Sequence, residues 1–452
     1  MASLKSRILS VLFWSIISAA FIGPGTVTTA TKAGAFFQFD LLWALAFSTF
    51  ACILLQEASA RVTINSGMNL AKAIAKQFEN RPTKNLVLLL VIGAIVLGSA
   101  AYETGNILGS MAGLTLIIDI PQYILVTIIG ILAFIALSLK SVQTIAKLMG
   151  GIVLLMGIAF VTTAILLKPS FSSILEGVFI PTIPKGAGAG LLILGIIGTT
   201  VVPYDLFLGS GVLDKSQKIS DMRFGLSVAI ILGGLISMAI MTVGTIIEGE
   251  FTYEALADAL TNKIGRYAVY VFGFGMFTAG FSSAITAPLV SSITAQSFFE
   301  KKSDSKWKTQ GLYYKMVYTG VLFVGLGFGF AEVEPIPAII LAQALNGLIL
   351  PFISVFLIYV INDPVLMGKD KTNGWFSNVL LGIIMWVTMI LGAISVAESV
   401  SSGFGIELPD GNDLILIISL VSLFISVGIF FMVNVYKQRR RQVLFVKDYI
   451  NI

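Results

Sequence analysis

Twelve apolar runs follow one another along the chain, each near or beyond the roughly 18 residues needed to cross the hydrocarbon of a bilayer. They lie at about 11–34, 40–62, 85–113, 118–138, 147–167, 188–212, 223–247, 266–298, 312–331, 336–361, 375–396 and 412–435. Lipid satisfies no free backbone N–H or C=O, so each span must close its own hydrogen bonds. An all-α polytopic membrane protein with about twelve transmembrane helices is therefore expected. A mean hydropathy of +0.94 with only 12% charged residues does not suit a soluble chain of 452 residues. The connections are short, so a single transmembrane domain over residues 1–452 is expected. The first run is too long for a cleavable leader and continues into a polar interruption.

Charge placement orients the spans. Lys5 and Arg7 precede the first run, and Lys437-Gln438-Arg439-Arg440-Arg441 follows the last. Even-numbered connections are basic: Lys72, Lys76, Arg81 and Lys84; Lys140; Lys215, Lys218 and Arg223; Lys301, Lys302, Lys306 and Lys308; Lys369 and Lys371. Opposite connections are acidic: Glu248, Glu250, Glu254 and Asp258; Glu332 and Glu334; Glu398, Glu407, Asp410 and Asp413. The fifth connection dissents, with Lys168 and Lys185 against Glu176. The positive-inside rule places both termini in the cytoplasm, and the compact loops suit a bacterial inner (plasma) membrane. The net charge of +5 reports topology and gives no reason to expect nucleic acid. Cys52 is the one cysteine and is expected to be a buried thiol. The absence of histidine removes imidazole metal clusters and relays. No GxxxxGK[ST] loop supports ATP-driven work. No nucleophile–base pair suggests an enzyme, and no obligate protein partner or cofactor is evident.

Two of the runs are interrupted near their middles. The first reads Gly23-Pro24-Gly25-Thr26-Val27-Thr28-Thr29-Ala30-Thr31-Lys32, and the sixth Gly198-Thr199-Thr200-Val201-Val202-Pro203-Tyr204-Asp205. Proline removes a donor and clashes with the preceding turn, while glycine permits unwound backbone. Taken singly, each break reads equally as a kink with hydroxyls bonded back to the helix. A matched pair in the two halves of a chain is the sequence pointer to a transporter's midplane site. The restarting helices aim N–H groups and the positive ends of their dipoles into the breaks, which suits oxygen anions. Asp205 adds a carboxylate that is costly at membrane depth unless it faces a site or water.

These residues resemble the NRAMP proton-coupled metal transporters. The first break falls where that family has Asp-Pro-Gly-Asn, and the second where it has Met-Pro-His. Leu54-Leu55-Gln56-Glu57-Ala58-Ser59-Ala60-Arg61 resembles the family's second helix. Ala279-Gly280-Phe281-Ser282-Ser283-Ala284-Ile285-Thr286 resembles its eighth, and Ala342-Gln343-Ala344-Leu345-Asn346 with Leu350-Pro351-Phe352 its tenth. The likeness covers roughly residues 15–360. It implies a broken-helix transporter fold of inverted five-plus-five repeats, 11–167 and 188–361, followed by two additional spans over 375–435. Alternating access around a midplane site follows from that fold.

The family's metal ligands are absent. Its Asp position is Gly23, its Asn position Thr26, its Met position Val202 and its His position Tyr204. Glycine and valine supply no side-chain ligand, and hydroxyls are weak ones. The reading drawn from this loss is a secondary transporter for a small anion or zwitterion, a carboxylate such as citrate, with room for a bound cation. Its binding set is Gly23, Gly25, Thr26, Thr28, Thr29, Thr199, Thr200, Tyr204, Asp205, Gln343 and Asn346. Lys32, about 9 Å beyond Thr26 at 1.5 Å per residue, reads as a lure for entering anions or as a snorkelling side chain. The alternative is a Mg²⁺ or Mn²⁺ transporter with a remodelled site in which Asp205 and Gln343 are the ligands. Glu103 resembles a family carboxylate on the proton path, although its companion acid is Ala100 here. With Asp205 it forms the expected coupling pair for H⁺, with Na⁺ as the other coupling ion. Glu57 and Arg61, spaced i,i+4, read as a structural ion pair. The glycines at 186, 188 and 190 and at 325, 327 and 329 read as close helix packing first, with a hinge as the other reading.

Overall fold

The computed structural model describes residues 4–139, 143–184, 188–213, 217–300, 305–404 and 411–450. Lys140, Lys185, Lys215, Lys301, Lys302, Gly186, Glu407 and Asp410 lie outside the described residues, as do the side chains of Lys5 and Glu398. In chain order the helices are α1 (Leu4–Phe21), α2 (Pro24–Phe37), α3 (Leu42–Ser66), α4 (Leu70–Gln77), α5 (Lys84–Thr115) and α6 (Gln122–Ser138). There follow α7 (Gln143–Leu166), α8 (Phe171–Phe179), α9 (Ala189–Thr200), α10 (Pro203–Val212), α11 (Ile219–Gly244) and α12 (Tyr253–Ile264). The remainder are α13 (Ala268–Phe299), α14 (Leu312–Phe330), α15 (Pro335–Ile361), α16 (Pro364–Met367), α17 (Trp375–Phe404) and α18 (Gly411–Ile450). Each of the twelve apolar runs coincides with a helix or with a broken pair: α1 and α2 form the first, α9 and α10 the sixth.

Eight segments among the described residues are long and apolar enough to cross a membrane by themselves, the α9–α10 pair counted as one. The other runs fall short for local reasons. α6 has 17 residues, and α14 carries Lys315 with Tyr313, Tyr314 and Tyr318 among its 19. Large apolar side chains such as Leu97, Phe323 and Phe424 point outward and are exposed, the surface that lipid covers.

The breaks are built from backbone. Gly23 is extended (φ −117°, ψ −172°) and caps α2, with Pro24 at the first helical position, where its missing N–H costs nothing. Val202 is likewise extended (φ −75°, ψ 121°), with Pro203 opening α10. By contrast, Pro288 and Pro351 lie inside α13 and α15 without ending them. α5 lies most extensively against α13, while α1, α2 and α3 pack around α11 and α9 lies along α15. The α5–α13 crossing is close because Gly113 and Gly273 face each other. A Cβ on either would sit 2.5 or 2.6 Å from the other's carbonyl oxygen. α10 runs parallel to α3, fixed by Ser59 Oγ to the Leu206 carbonyl (2.6 Å) and Thr63 Oγ1 to the Ser210 carbonyl (2.8 Å).

Candidate functional site where the two breaks meet

The two interrupted helices touch at their breaks. Thr26 Oγ1 lies 3.0 Å from Thr199 Oγ1, although 173 residues separate them. Thr26 also donates to the Phe21 carbonyl at the end of α1, so the proton between the two threonines comes from Thr199. Gln343 of α15 closes the third side. A Cβ on Gly25 would fall 2.4 Å from Gln343 Nε2 and 2.9 Å from Thr199 Oγ1, and a Cβ on Gly198 1.9 Å from the Gln343 carbonyl oxygen. Asn346, one turn on, donates Nδ2 to the Ala342 carbonyl (3.0 Å) and faces Gly98 of α5.

Thr28, Thr29 and Thr200 are committed elsewhere, whereas the buried Thr31 hydroxyl has no partner among the described residues. Thr28 donates to the Pro24 carbonyl (2.7 Å) and accepts from the Tyr253 hydroxyl (2.7 Å). Thr29 donates to the Gly25 carbonyl (2.8 Å), and Thr200 to the Ile196 carbonyl (2.9 Å). Each hydroxyl of Thr28, Thr29 and Thr200 has therefore given its proton to a backbone carbonyl. What it presents is lone pairs, which suit a cation and do not suit an anion.

Asp205 lies in the first turn of α10, 2% exposed. It is within electrostatic reach of Tyr102, Tyr204 and Cys52. The Tyr102 and Tyr204 rings pack edge to face with centroids 5.3 Å apart, and the Tyr102 hydroxyl stands beside Thr199. Glu103 is fully buried in α5. Its Oε2 faces Asn106 Nδ2 at 3.4 Å, and Gly325 of α14 packs against its Cγ. Four buried oxygens here have no hydrogen-bond partner among the described residues: Asp205 Oδ1, Glu103 Oε1, Gln343 Oε1 and Asn346 Oδ1. The Tyr204 hydroxyl is similarly unpartnered.

Beside the breaks the buried ionisable side chains are those of Glu103 and Asp205. Asp221 and Asp363 are also buried but lie at the helix ends of the face with the chain termini, where Asp363 meets Arg440, and no lysine or arginine is buried among the described residues. Lys32 is half-buried and rests its ammonium over the Phe36 ring (5.7 Å). The positive ends of α2 and α10 do point into the breaks, but the negative ends of α1 and α9 meet them there. Among the described residues no three His, Cys, Asp or Glu gather as a metal cluster. A cation here would be held by Asp205 together with neutral oxygens, the ligand set of Mg²⁺ or Mn²⁺. The site draws in Tyr102 and Tyr253, which the motifs did not single out. Tyr102 sits beside Glu103 in sequence, whereas Tyr253 belongs to an acidic connection and carries no signal of its own.

The family description "Natural resistance-associated macrophage protein-like" matches residues 15–398. The divalent metal cation transporter MntH of Klebsiella pneumoniae is 23% identical over 397 residues, 85% of this chain and 92% of its own length. That of Staphylococcus saprophyticus is 25% identical over 406 residues, 84% and 88%. The Eremococcus coleocola manganese transporter superposes with a TM-score of 0.71 at 19% identity, over 96% of both chains. The nucleobase-cation-symport-1 transporter Mhp1 superposes at 0.58 and 17% identity, over 96% of this chain and 95% of its own.

Proposed function

Because the chain belongs to the natural resistance-associated macrophage protein family of membrane transporters, we propose that it carries a hard divalent cation, Mg²⁺ or Mn²⁺, by alternating access. This replaces the carboxylate reading drawn from the lost ligands. Thr28, Thr29 and Thr200 give their protons to carbonyls, and the two buried ionisable side chains beside the breaks, Glu103 and Asp205, are acidic, so both favour a cation over citrate. The relatives' names point the same way. The observation that carries the proposal is the group of unpartnered oxygens of Asp205, Gln343 and Asn346 beside the Thr26–Thr199 contact.

In this reading the cation keeps part of its water, as Mg²⁺ does. Asp205 supplies charge, and Gln343, the two threonines and unwound carbonyls supply neutral oxygen. Val202 and Tyr204 offer nothing to soft metals, so selectivity shifts from thioether-binding ions toward oxygen-binding ones. Glu103 and Asp205 couple transport to H⁺, with Na⁺ the other candidate. Residues 11–167 and 188–361 act as inverted repeats around the site, with 375–435 appended. Both termini face the cytoplasm of a bacterial plasma membrane, as the basic connections require.

The test is uptake by the purified full chain in proteoliposomes, with Mn²⁺, Mg²⁺ and citrate offered separately. Metal uptake without citrate uptake is expected, and Asp205→Ala should reduce it by about tenfold or more. Full uptake in Asp205→Ala, or citrate uptake without metal, would refute the assignment.

A further inference from the structure

Two neighbouring groups of polar contacts, bridged by successive turns of α18, tie together the ends of α3, α11, α15 and α18 at the face that carries both chain ends. Glu57 of α3 binds Arg61 Nε one turn on (3.2 Å) and Arg223 Nη2 at the start of α11 (2.8 Å). Arg61 continues to Asn373 Oδ1, between α16 and α17. Asn373 accepts Lys437 Nζ of α18 on its carbonyl (2.5 Å) and donates to Asn378 Oδ1 (3.0 Å). Asp363, whose side chain is fully buried at the end of α15, accepts from the Tyr436 hydroxyl (2.7 Å) and from Arg440 Nε and Nη2 (3.3 and 3.1 Å). The Arg81 guanidinium lies 5.2 Å over the Tyr436 ring. α1, the first half of the broken helix, is tied to the same face, since Ser10 Oγ donates to the Asp221 carbonyl (2.6 Å).

The rest of α18 holds the bundle weakly. Only 11% of its membrane stretch is buried, so its polar end is where it grips. Charge-assisted, two-pronged contacts to a buried carboxylate are among the stronger ones available. Meanwhile Thr26, Thr199, Asp205, Gln343 and Asn346 are at most 2% exposed, so the site is closed toward this face. Any parting of α3 from the α16–α17 connection at this face would break the Arg61–Asn373 contact.

We propose that α18 is a latch, in which Tyr436, Lys437 and Arg440 hold this face shut through Asp363 and Asn373, and their release is part of opening. The proposal rests on the alternating-access reading above but not on the identity of the cargo. It is a shift in a two-state population: contacts made only when the face is closed favour closure.

The native chain contains its own reporter. Cys52 is the sole cysteine, 1% exposed, at the level of Asp205. The experiment follows alkylation of Cys52 by a membrane-impermeant maleimide in sealed vesicles of each orientation. Arg440→Ala should raise the rate from the face with the chain ends by about tenfold or more, through loss of its two-pronged charge-assisted contact. The rate from the other face should not rise. Lys437→Ala, which strands only a neutral carbonyl, should act in the same direction and guards against misfolding caused by an unpaired Asp363. Unchanged labelling in both variants, or an equal rise from both faces, would reduce the network to a structural brace and overturn the latch. Labelling needs no substrate, so a wrong cargo assignment leaves this result readable. A failed latch in turn leaves metal uptake by the native chain standing.

Discussion

Gly25 and Gly198 both meet residue 343, and the two contacts differ in kind. A methyl at Gly25 would press on the amide end of the Gln343 side chain at 2.4 Å, which can swing away. A methyl at Gly198 would lie 1.9 Å from the Gln343 carbonyl oxygen and 2.6 Å from the Gly347 nitrogen, backbone that cannot move without parting two helices. Gly25→Ala should therefore unfold near the native temperature but weaken cation binding by about tenfold. Gly198→Ala should lose about 1–3 kcal/mol or more of stability from overpacking. Thermal midpoints and binding isotherms of the two variants check this, and the reverse order would place Gln343 outside the site. Thr26→Val should leave Thr199 without its acceptor, costing about 1 kcal/mol and removing one oxygen from the cation. The residues of the two breaks were legible from the sequence, and so was the Glu57–Arg61 pair, found at 3.2 Å. What the sequence left open was whether the threonine hydroxyls bond back to the helix, which depends on which carbonyl lies one turn back once the helix restarts.

The breaks and spans are legible as elements because proline and glycine interrupt runs whose length the bilayer fixes. α8 and α12 were not, since nine and twelve residues in a connection fall below any span criterion. α12 nevertheless reaches the site: its cap, Thr252, accepts from the Ala255 N–H (3.1 Å), and Tyr253 then bonds Thr28. Tyr253→Phe would cut this tie while Thr28 keeps its bond to Pro24. The chain should stay folded while the apparent affinity for cation arriving from the side away from the chain ends falls by about fivefold, one neutral hydrogen bond. Uptake kinetics at graded Mn²⁺ would measure it, and an unchanged KM would make α12 a bystander. α18 also runs to Ile450, well past the apolar run ending near 435, because its polar turns find partners on α15 and the α16–α17 connection that hydropathy does not register.

For the molecule as a whole, ligand should act on stability in one sense only. Mg²⁺ or Mn²⁺ at a hundred times its Kd should stabilise the purified chain by about 2.7 kcal/mol, and citrate alone should not. A shift with citrate alone would restore the carboxylate reading. The overall bundle could be foreseen from run lengths, and the meeting of its two breaks from their matched positions. The sorting of helices around α11 and along α5 and α13 could not, because it rests on glycine-to-carbonyl approaches between spans far apart in sequence. The residues between the breaks are shielded from both faces at once. A carrier with such a state never offers ions a continuous path, so a cell can hold many copies in its membrane without short-circuiting the voltage across it.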